Sequence, residues 1–437
     1  PGDAWAARDT LHNPGDAWAA RDTLHNPGDA WGAQDTLHVG AHRPFPTITG
    51  ALARANPGDR IVVHPGVYRE PTLVIQRPLE LVGEGWPILD GEGEREILRI
   101  EADGVSVRGL SFRDVGVSYI EDRAAIKVQE AGQCEIVGNR IQDAFFGIYL
   151  AQAHSCRIEG NQILGQAVKE TSSGNGIHLW YSRDITIKDN LVANHRDGIY
   201  LEFVEDSRVV GNLSRGHLRY GLHFMFSDGC VYERNEFLEN ASGVAVMYTK
   251  RVQMLDNLFQ DNWGGAAFGL LLKDITDSEI RGNRFIRNTV AIYAEGSNRL
   301  TVEENELREN GWAVKIMANA QDNQFVRNNF FNNTFDVATN SRRAYSTFQG
   351  NFWDNYSGYD LDRDGFGDVP FHPVRLFSLW AEQNEPSLIL LRSFFVDLLD
   401  LAERLLPVLT PESLRDDAPR MAPVGIRTSV AATGWTP

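Results

Sequence analysis

The feature that most restricts this chain is a repeat. Segments with the pattern of a short strand start at 125 (AIKVQE), 147 (GIYLAQ), 176 (GIHLWY), 198 (GIYLEF), 221 (GLHFMF), 243 (GVAVMY), 269 (GLLLKD), 291 (AIYAEG), 313 (AVKIMA) and 335 (FDVATN). Successive starts are 22, 29, 22, 23, 22, 26, 22, 22 and 22 residues apart. A period this short, built from strands and turns with no helical pattern, predicts an all-β solenoid, a right-handed parallel β-helix with coils of about 22 residues.

A second column fixes the register. Asn139, Asn161, Asn190, Asn212, Asn235, Asn257, Asn283, Asn305, Asn328 and Asn351 recur with matching steps, and stacked asparagines hydrogen-bond from coil to coil while tolerating bent turns. The extra residues of the long steps fall in GQAVKETSSGN and DNWGGAAF, which are expected to bulge as loops on one flank. Cys134, Cys156 and Cys230 share an inward column with Ile185, Val252 and Leu300, so buried packing is expected of them. Cys134 and Cys156 stand on adjacent coils, about 4.8 Å apart in a parallel ladder, wider than a relaxed disulfide wants, so free thiols are expected. Met254 falls among Ile and Val of neighbouring coils as core filler. His195 and His217 occupy the position of Asn240, Asn262, Asn288 and Asn310 in later coils, which offers a turn role beside a metal role.

Charge narrows the function classes. With 59 acidic against 42 basic residues the formal charge is −17, which argues against a general nucleic-acid binder and leaves cation binding or solubility. Three cysteines without a CxxC spacing offer neither a paired disulfide framework nor a zinc knuckle. The near-identical tandem copies over 1–36 are set apart from the fold, leaving a β-helix over 37–371, a helical segment over 372–423 and a tail over 424–437.

Alternation turns two columns outward from the first strand of each coil. One reads Lys127, Tyr149, His178, Tyr200, His223, Ala245, Leu271, Tyr293, Lys315; the other reads Gln129, Ala151, Trp180, Glu202, Met225, Met247, Lys273, Glu295, Met317. Polar residues would be ordinary there, yet the middle is aromatic, imidazole and thioether, and such a patch on a rigid sheet reads as a binding surface. Coils about 4.8 Å apart, with alternate residues about 6.6 Å apart, let His223, Met225 and Met247 converge on one ion, with His178 and Glu202 a coil or two away. Thioether and imidazole select soft Cu(I). The competing reading is an apolar patch on which methionine adapts to a protein partner, with Trp180 and Glu202 at its edge.

Past the last coil, Asp360, Asp362, Asp364 and Asp368 with Gly365 match positions 1, 3, 5, 9 and 6 of a calcium loop, while position 12 is Phe371 in place of the bidentate Glu. A charged closing loop is the alternative. Further on, Leu391, Phe394, Phe395, Leu398, Leu401 and Leu405 form a helical stripe ended by Pro407, with charges that forbid spanning a bilayer. Such a helix is expected either to cap the open solenoid or to dock on a partner.

Together, PTITGALARANPGDRIVVHPGVYRE at 46–70, the asparagine coils, NFWDNYSGYDLDRDGFGDVPF and the Leu-rich C-terminus resemble the NosD family over about residues 33 to 423. The resemblance implies a periplasmic accessory protein of nitrous-oxide reductase maturation, seated on an ABC transporter of the ATPase NosF and the permease NosY. It further implies participation in assembling the copper-sulfide centre of the reductase NosZ, with copper arriving from the chaperone NosL. No family motif fixes the copper ligands, so the proposed set rests on register alone. The rival is a secreted polysaccharide-binding protein, lyase or hydrolase of β-helix type, which needs two carboxylates about 5 to 9.5 Å apart. On the face read above, Glu202 and Glu295 are four coils, about 19 Å, apart.

Overall fold

A computed structural model describes residues 35–426 except 119, 342–344, 392, 397 and 400–413; residues 1–34 and the tail from 427 lie outside the described residues, as does Leu401. Among the described residues three parallel sheets hold 14, 12 and 13 strands, each strand pairing with its counterpart one coil away, as a right-handed parallel β-helix requires. The first strand, Thr36–Val39, pairs with Arg60–Val63, so the solenoid is under way at the end of the tandem copies.

Inward residues explain why the coil closes. In the 12-stranded sheet Leu222 pairs with Val244 and Phe224 with Val246, and all four are fully buried. Stacking like on like continues through Phe237, Phe259 and Phe285 in the 13-stranded sheet, whose rings lie 5.4 and 4.5 Å apart. Full burial of each such ring is worth about 1.5–3 kcal/mol. Cys134, Cys156 and Cys230 are buried free thiols, and Met254 is fully buried among the core residues, as expected.

The asparagine ladder satisfies the turns. Asn139 donates from both its backbone N and its Nδ2 to Asn161 Oδ1 at 2.9 and 3.1 Å, and the same pair of bonds repeats from Asn161 to Asn190 at 2.9 and 2.9 Å. The residue before each asparagine adopts a left-handed backbone, as at Gly138 (φ 62°) and Asp189 (φ 53°), which turns the chain and points the amide into the ladder. A second ladder runs along the next turn. There His195 N donates to His217 Nδ1 at 3.1 Å, His217 N to Asn240 Oδ1 at 3.1 Å, and Asn240 N to Asn262 Oδ1 at 3.1 Å. The His217 imidazole therefore serves the turn, the first of the two roles open from sequence, while His195 joins the ladder through its backbone N.

The C-terminal end is closed by a residue from far along the chain. Asp416 takes the place of the next asparagine, accepting from Asn351 N (2.9 Å), Asn351 Nδ2 (3.0 Å), Gly350 N (3.0 Å) and Trp353 Nε1 (3.2 Å). Residues 414–424, which the sequence reading placed within the helical segment and tail, thus return to the solenoid through bridges of Asp416 with Phe348 and Phe371 and of Arg420 with Phe352.

The apolar C-terminal stripe is divided. Helix Leu376–Gln383 is followed by a 3-10 turn, Glu385–Leu390, and an extended residue at Leu391 (ψ 127°) that breaks the helical phase. Leu391, with Leu388, Leu390, Val396 and Leu399, packs against Phe335, Phe377 and Ala381. Phe394, Phe395 and Leu398 instead face outward, 80, 45 and 50% exposed. Both capping and an open apolar face come from one segment. No described helix is long and apolar enough to cross a membrane.

Candidate functional site

Four adjacent strands of the 12-stranded sheet carry the outward columns: Ile177–Trp180, Ile199–Glu202, Tyr220–Met225 and Ser242–Met247. Their register places His178 beside Tyr200 and Tyr200 beside His223 in one column, and Trp180, Glu202, Met225 and Met247 in order along the other. His223 and Met225 share a strand two residues apart, and Met225 stands directly opposite Met247. All three project away from the core, as alternation predicts. His178 is separated from His223 by the whole Tyr200 ring, so the structure brings together three of the four residues singled out and leaves His178 two coils off.

Outward does not mean exposed here. His178 and His223 are 8 and 4% exposed, while Met225 and Met247 are half-buried. Rings cover the imidazoles: Tyr149 and Tyr200 lie 4.7 Å from His178, and Tyr200 and Tyr220 lie 4.7 and 4.8 Å from His223. The Tyr200 hydroxyl donates to Met225 Sδ at 3.6 Å, tying the two columns together.

One edge of this face is a polar group that sequence reading missed. Asp197, fully buried, lies 3.4 Å from both Arg196 Nε and Arg219 Nε and accepts from Tyr220 N at 3.3 Å. Arg196 Nη2 donates to Asn175 Oδ1 at 3.1 Å, which leaves the Asn175 Nδ2 to face His178 Nδ1 at 3.1 Å. Arg219 Nη2 lies 3.4 Å from His223 Nδ1. Burial first, then the Arg196 charge, pushes the His178 imidazole down to about 3; burial first, then Arg219 and Arg196, does the same to His223. Both rings are neutral at any physiological pH, and both Nε2 atoms are buried without a hydrogen-bond partner. Burial raises Asp197 against the pull of the two arginines, and raises Glu202. The signal for these residues was present only in part. Asn175, Asp197, Tyr220 and Ser242 hold one position in four coils, but they differ in type.

The opposite edge carries a second missed feature. Tyr181, Phe203, Phe226 and Tyr248, each the residue after the thioether column, have left-handed backbones (φ 46 to 54°) and stack 4.5, 5.0 and 5.2 Å apart. Tyr181, Phe226 and Tyr248 are 49, 41 and 41% exposed. Their spacing of 22, 23 and 22 residues was legible, and it extends the patch that Trp180 begins. Acidic residues group elsewhere, at the C-terminal end. Ligand oxygens of Asp360, Asp362 and Asp364 lie within 4.8 Å of one another, while Asp368 is not among them and accepts from Leu361 N at 2.7 Å.

A face with two thioethers, a neutral imidazole and one flanking carboxylate suits a soft monovalent cation better than a hard divalent one. Residues 160–358, which span this face, match the family described as periplasmic copper-binding protein (NosD). A Pseudomonas aeruginosa protein named probable ABC transporter binding protein NosD is 30% identical over 399 residues, covering 86% of this chain and 91% of that relative. The protein of the same name from Stutzerimonas stutzeri is 26% identical over 372 residues, 79% of this chain and 83% of the relative. Among solved structures, the catalytic unit of a GH87 alpha-1,3-glucanase from Streptomyces thermodiastaticus superposes with a TM-score of 0.52 at 14% identity, over 70% of this chain and 62% of that one, a likeness of fold alone.

Proposed function

This chain belongs to the NosD family, and from that premise we propose that it is a non-enzymatic periplasmic maturation factor that receives Cu(I) at His223, Met225 and Met247. The observation that carries the reading is the register: an imidazole and a thioether on one strand with a second thioether directly opposite. Copper is cargo in this scheme, delivered by a chaperone of the NosL kind and passed toward the copper-sulfide centre of nitrous-oxide reductase, NosZ. The half-buried thioethers let a donor and an acceptor reach the ion from outside. Trp180, Glu202 and the stacked rings from Tyr181 to Tyr248 supply an apolar and acidic rim on which such partners seat.

The transporter joint is placed at the C-terminal segment. Phe394, Phe395 and Leu398 are open, and beside them Leu391 anchors the segment to the last coil. An apolar face held rigidly by its other side is suited to a membrane permease such as NosY, moved in turn by the ATPase NosF. Calcium is proposed as a structural ligand of Asp360, Asp362 and Asp364. The polysaccharide reading lacks its acid pair on this face: Asp197 is committed to two arginines, and Glu202 and Glu295 are four coils apart.

Titration with Cu(I) tests the site. Met225→Leu with Met247→Leu, which keeps apolar volume and removes sulfur, is expected to weaken Cu(I) binding about a hundredfold; unchanged affinity would leave the partner-docking reading of the patch. Phe394→Ser with Leu398→Ser is expected to end co-purification with the transporter without altering the folded state.

A further inference from the structure

Resting on the copper reading above, the geometry points to Arg219 as a positioning residue that holds the His223 hydrogen on Nε2 and caps the ring's one free lone pair, on Nδ1, and that must withdraw toward Asp197 before copper is held. The argument begins with what a guanidinium can do. It has five donors and no acceptor, so at 3.4 Å from Arg219 Nη2 the His223 Nδ1 can only be the accepting nitrogen. A neutral imidazole carries one hydrogen. With Nδ1 accepting, that hydrogen sits on Nε2, the buried atom with no partner. A ring nitrogen coordinates through its lone pair, so an Nε2–H ring offers Cu(I) nothing on that side.

His178 is held in the same state by a different lock. Arg196 fixes Asn175 by donating to its Oδ1, and the remaining amide nitrogen faces His178 Nδ1. Both arginines keep Asp197 as a partner at 3.4 Å, so neither is left unpaired if it turns away. What differs is that Arg196 acts on His178 only through the buried Asn175, whereas Arg219 bears on the His223 ring itself. Arg219 is also one-third exposed, at the edge of the face opposite the stacked rings. The difference assigns His223 as the switchable ligand and His178 as fixed framing.

The proton balance is closed. On copper loading, Nε2 gives its hydrogen to solvent and Nδ1 takes one, so the ring stays neutral and no net proton is released. Arg219 turns from Nδ1 to Asp197 at the same time. A partner carboxylate that drew Arg219 away would promote loading; its return would promote release.

The test uses the full chain, with histidine labelled by ¹⁵N and the His223 signal assigned from a His223→Gln variant. In the copper-free wild type the two ring nitrogens are expected to report hydrogen on Nε2. In Arg219→Met they are expected to shift toward a mixture, and Cu(I) affinity is expected to rise about tenfold, the scale of one hydrogen bond from a charged donor. Arg219→Lys, which keeps the cation and a donor, is expected to lie between and guards against a packing effect of Met. Hydrogen on Nδ1 in the copper-free wild type overturns the lock whatever copper does. So does an Arg219→Met variant with unchanged tautomer and affinity. A locked Nε2–H ring in a protein whose Cu(I) binding ignores Met225 and Met247 overturns the copper site instead, and leaves the lock standing.

Discussion

Two pairs of histidines, one on adjacent coils and one two coils apart, look alike by most measures. His195 and His217 stand in a turn, His178 and His223 on the outer face of the 12-stranded sheet; all four are buried, and all four have an Nε2 without a hydrogen-bond partner. Burial pushes His195 down to about 4 and His217, with help from the His195 charge, to about 3, close to the other pair. The neighbours separate them. In the turn the column continues as asparagine, and the His217 imidazole does what the Asn240 oxygen does on the next coil, accepting a backbone N–H from the coil before. On the face the column runs through tyrosines toward two thioethers, with two arginines at its edge. A depressed imidazole is therefore no signature of a site in this fold, since the solenoid makes one wherever a ring is packed between coils. Chemistry is identified by what the next coil places alongside.

The sharpest way to break that distinction is to damage the turn column. Asn240→Ala removes the acceptor for His217 N and the donor to Ser214 O inside a buried ladder. A loss of about 3 kcal/mol is expected from the unmade bonds, read as a drop in the thermal or denaturant midpoint, with Cu(I) affinity of the remaining folded protein unchanged. The outer face is expected to answer in the opposite way. Met225→Leu with Met247→Leu should weaken Cu(I) by about a hundredfold, near 2.7 kcal/mol, while the unfolding midpoint moves by less than about 1 kcal/mol. If the asparagine change alters copper as much as the methionine change does, the two columns are not functionally distinct.

The same contrast governs what sequence could reveal. Column arithmetic found the coils, the asparagine ladder, the buried thiols and the outward position of His223, Met225 and Met247, because each depends on a strict period and on alternation within one strand. It did not find Arg196, Asp197 and Arg219, which lie where the chain enters a strand; the two arginines share one position on adjacent coils, but Gly174 and Ala241 hold it on the flanking coils. It could not find Asp416 either, which replaces the next asparagine from 65 residues away. Nor could it show that the outward imidazoles would be covered, His178 by Tyr149 and Tyr200 of the neighbouring coils and His223 by Tyr200 of the coil before and Tyr220 of its own strand. The apolar C-terminal stripe was legible as apolar, but the break at Leu391 that sends Leu391 inward and Phe394 outward is a local backbone event with no periodic trace.

Acid should expose all four rings together. Each has a folded value near 3 or 4 against about 6.5 in an open chain. The unfolded chain binds more protons between those values, so stability rises with pH there and is lost as pH falls below about 6.5, down to the folded values. Each ring contributes a slope of up to about 1.4 kcal/mol per pH unit. Denaturant midpoints measured from pH 7.5 to 5 are expected to fall steeply below 6.5; a flat profile would mean that the rings protonate freely in the folded state.

The smallest effect separates the pairs most cleanly. His217→Asn continues a column that is asparagine from Asn240 onward, and the new side chain keeps an oxygen for His195 N and a donor for the strand above, the arrangement Asn240 and Asn262 already use. At pH 7.5 the change in stability is expected to be under about 1 kcal/mol, with Cu(I) affinity unaltered. Its acid profile should nevertheless lose one histidine's slope, so the variant overtakes the wild type as pH falls. His223→Asn removes the same titrating ring and should flatten the acid profile equally, but there the asparagine meets Tyr200, Tyr220 and Arg219 in place of a ladder, and copper binding should fail. Equal pH behaviour with unequal copper behaviour is the outcome the two settings require. A turn variant that also loses copper would show that the ladder and the face are one site, and that an imidazole between coils is never only structural.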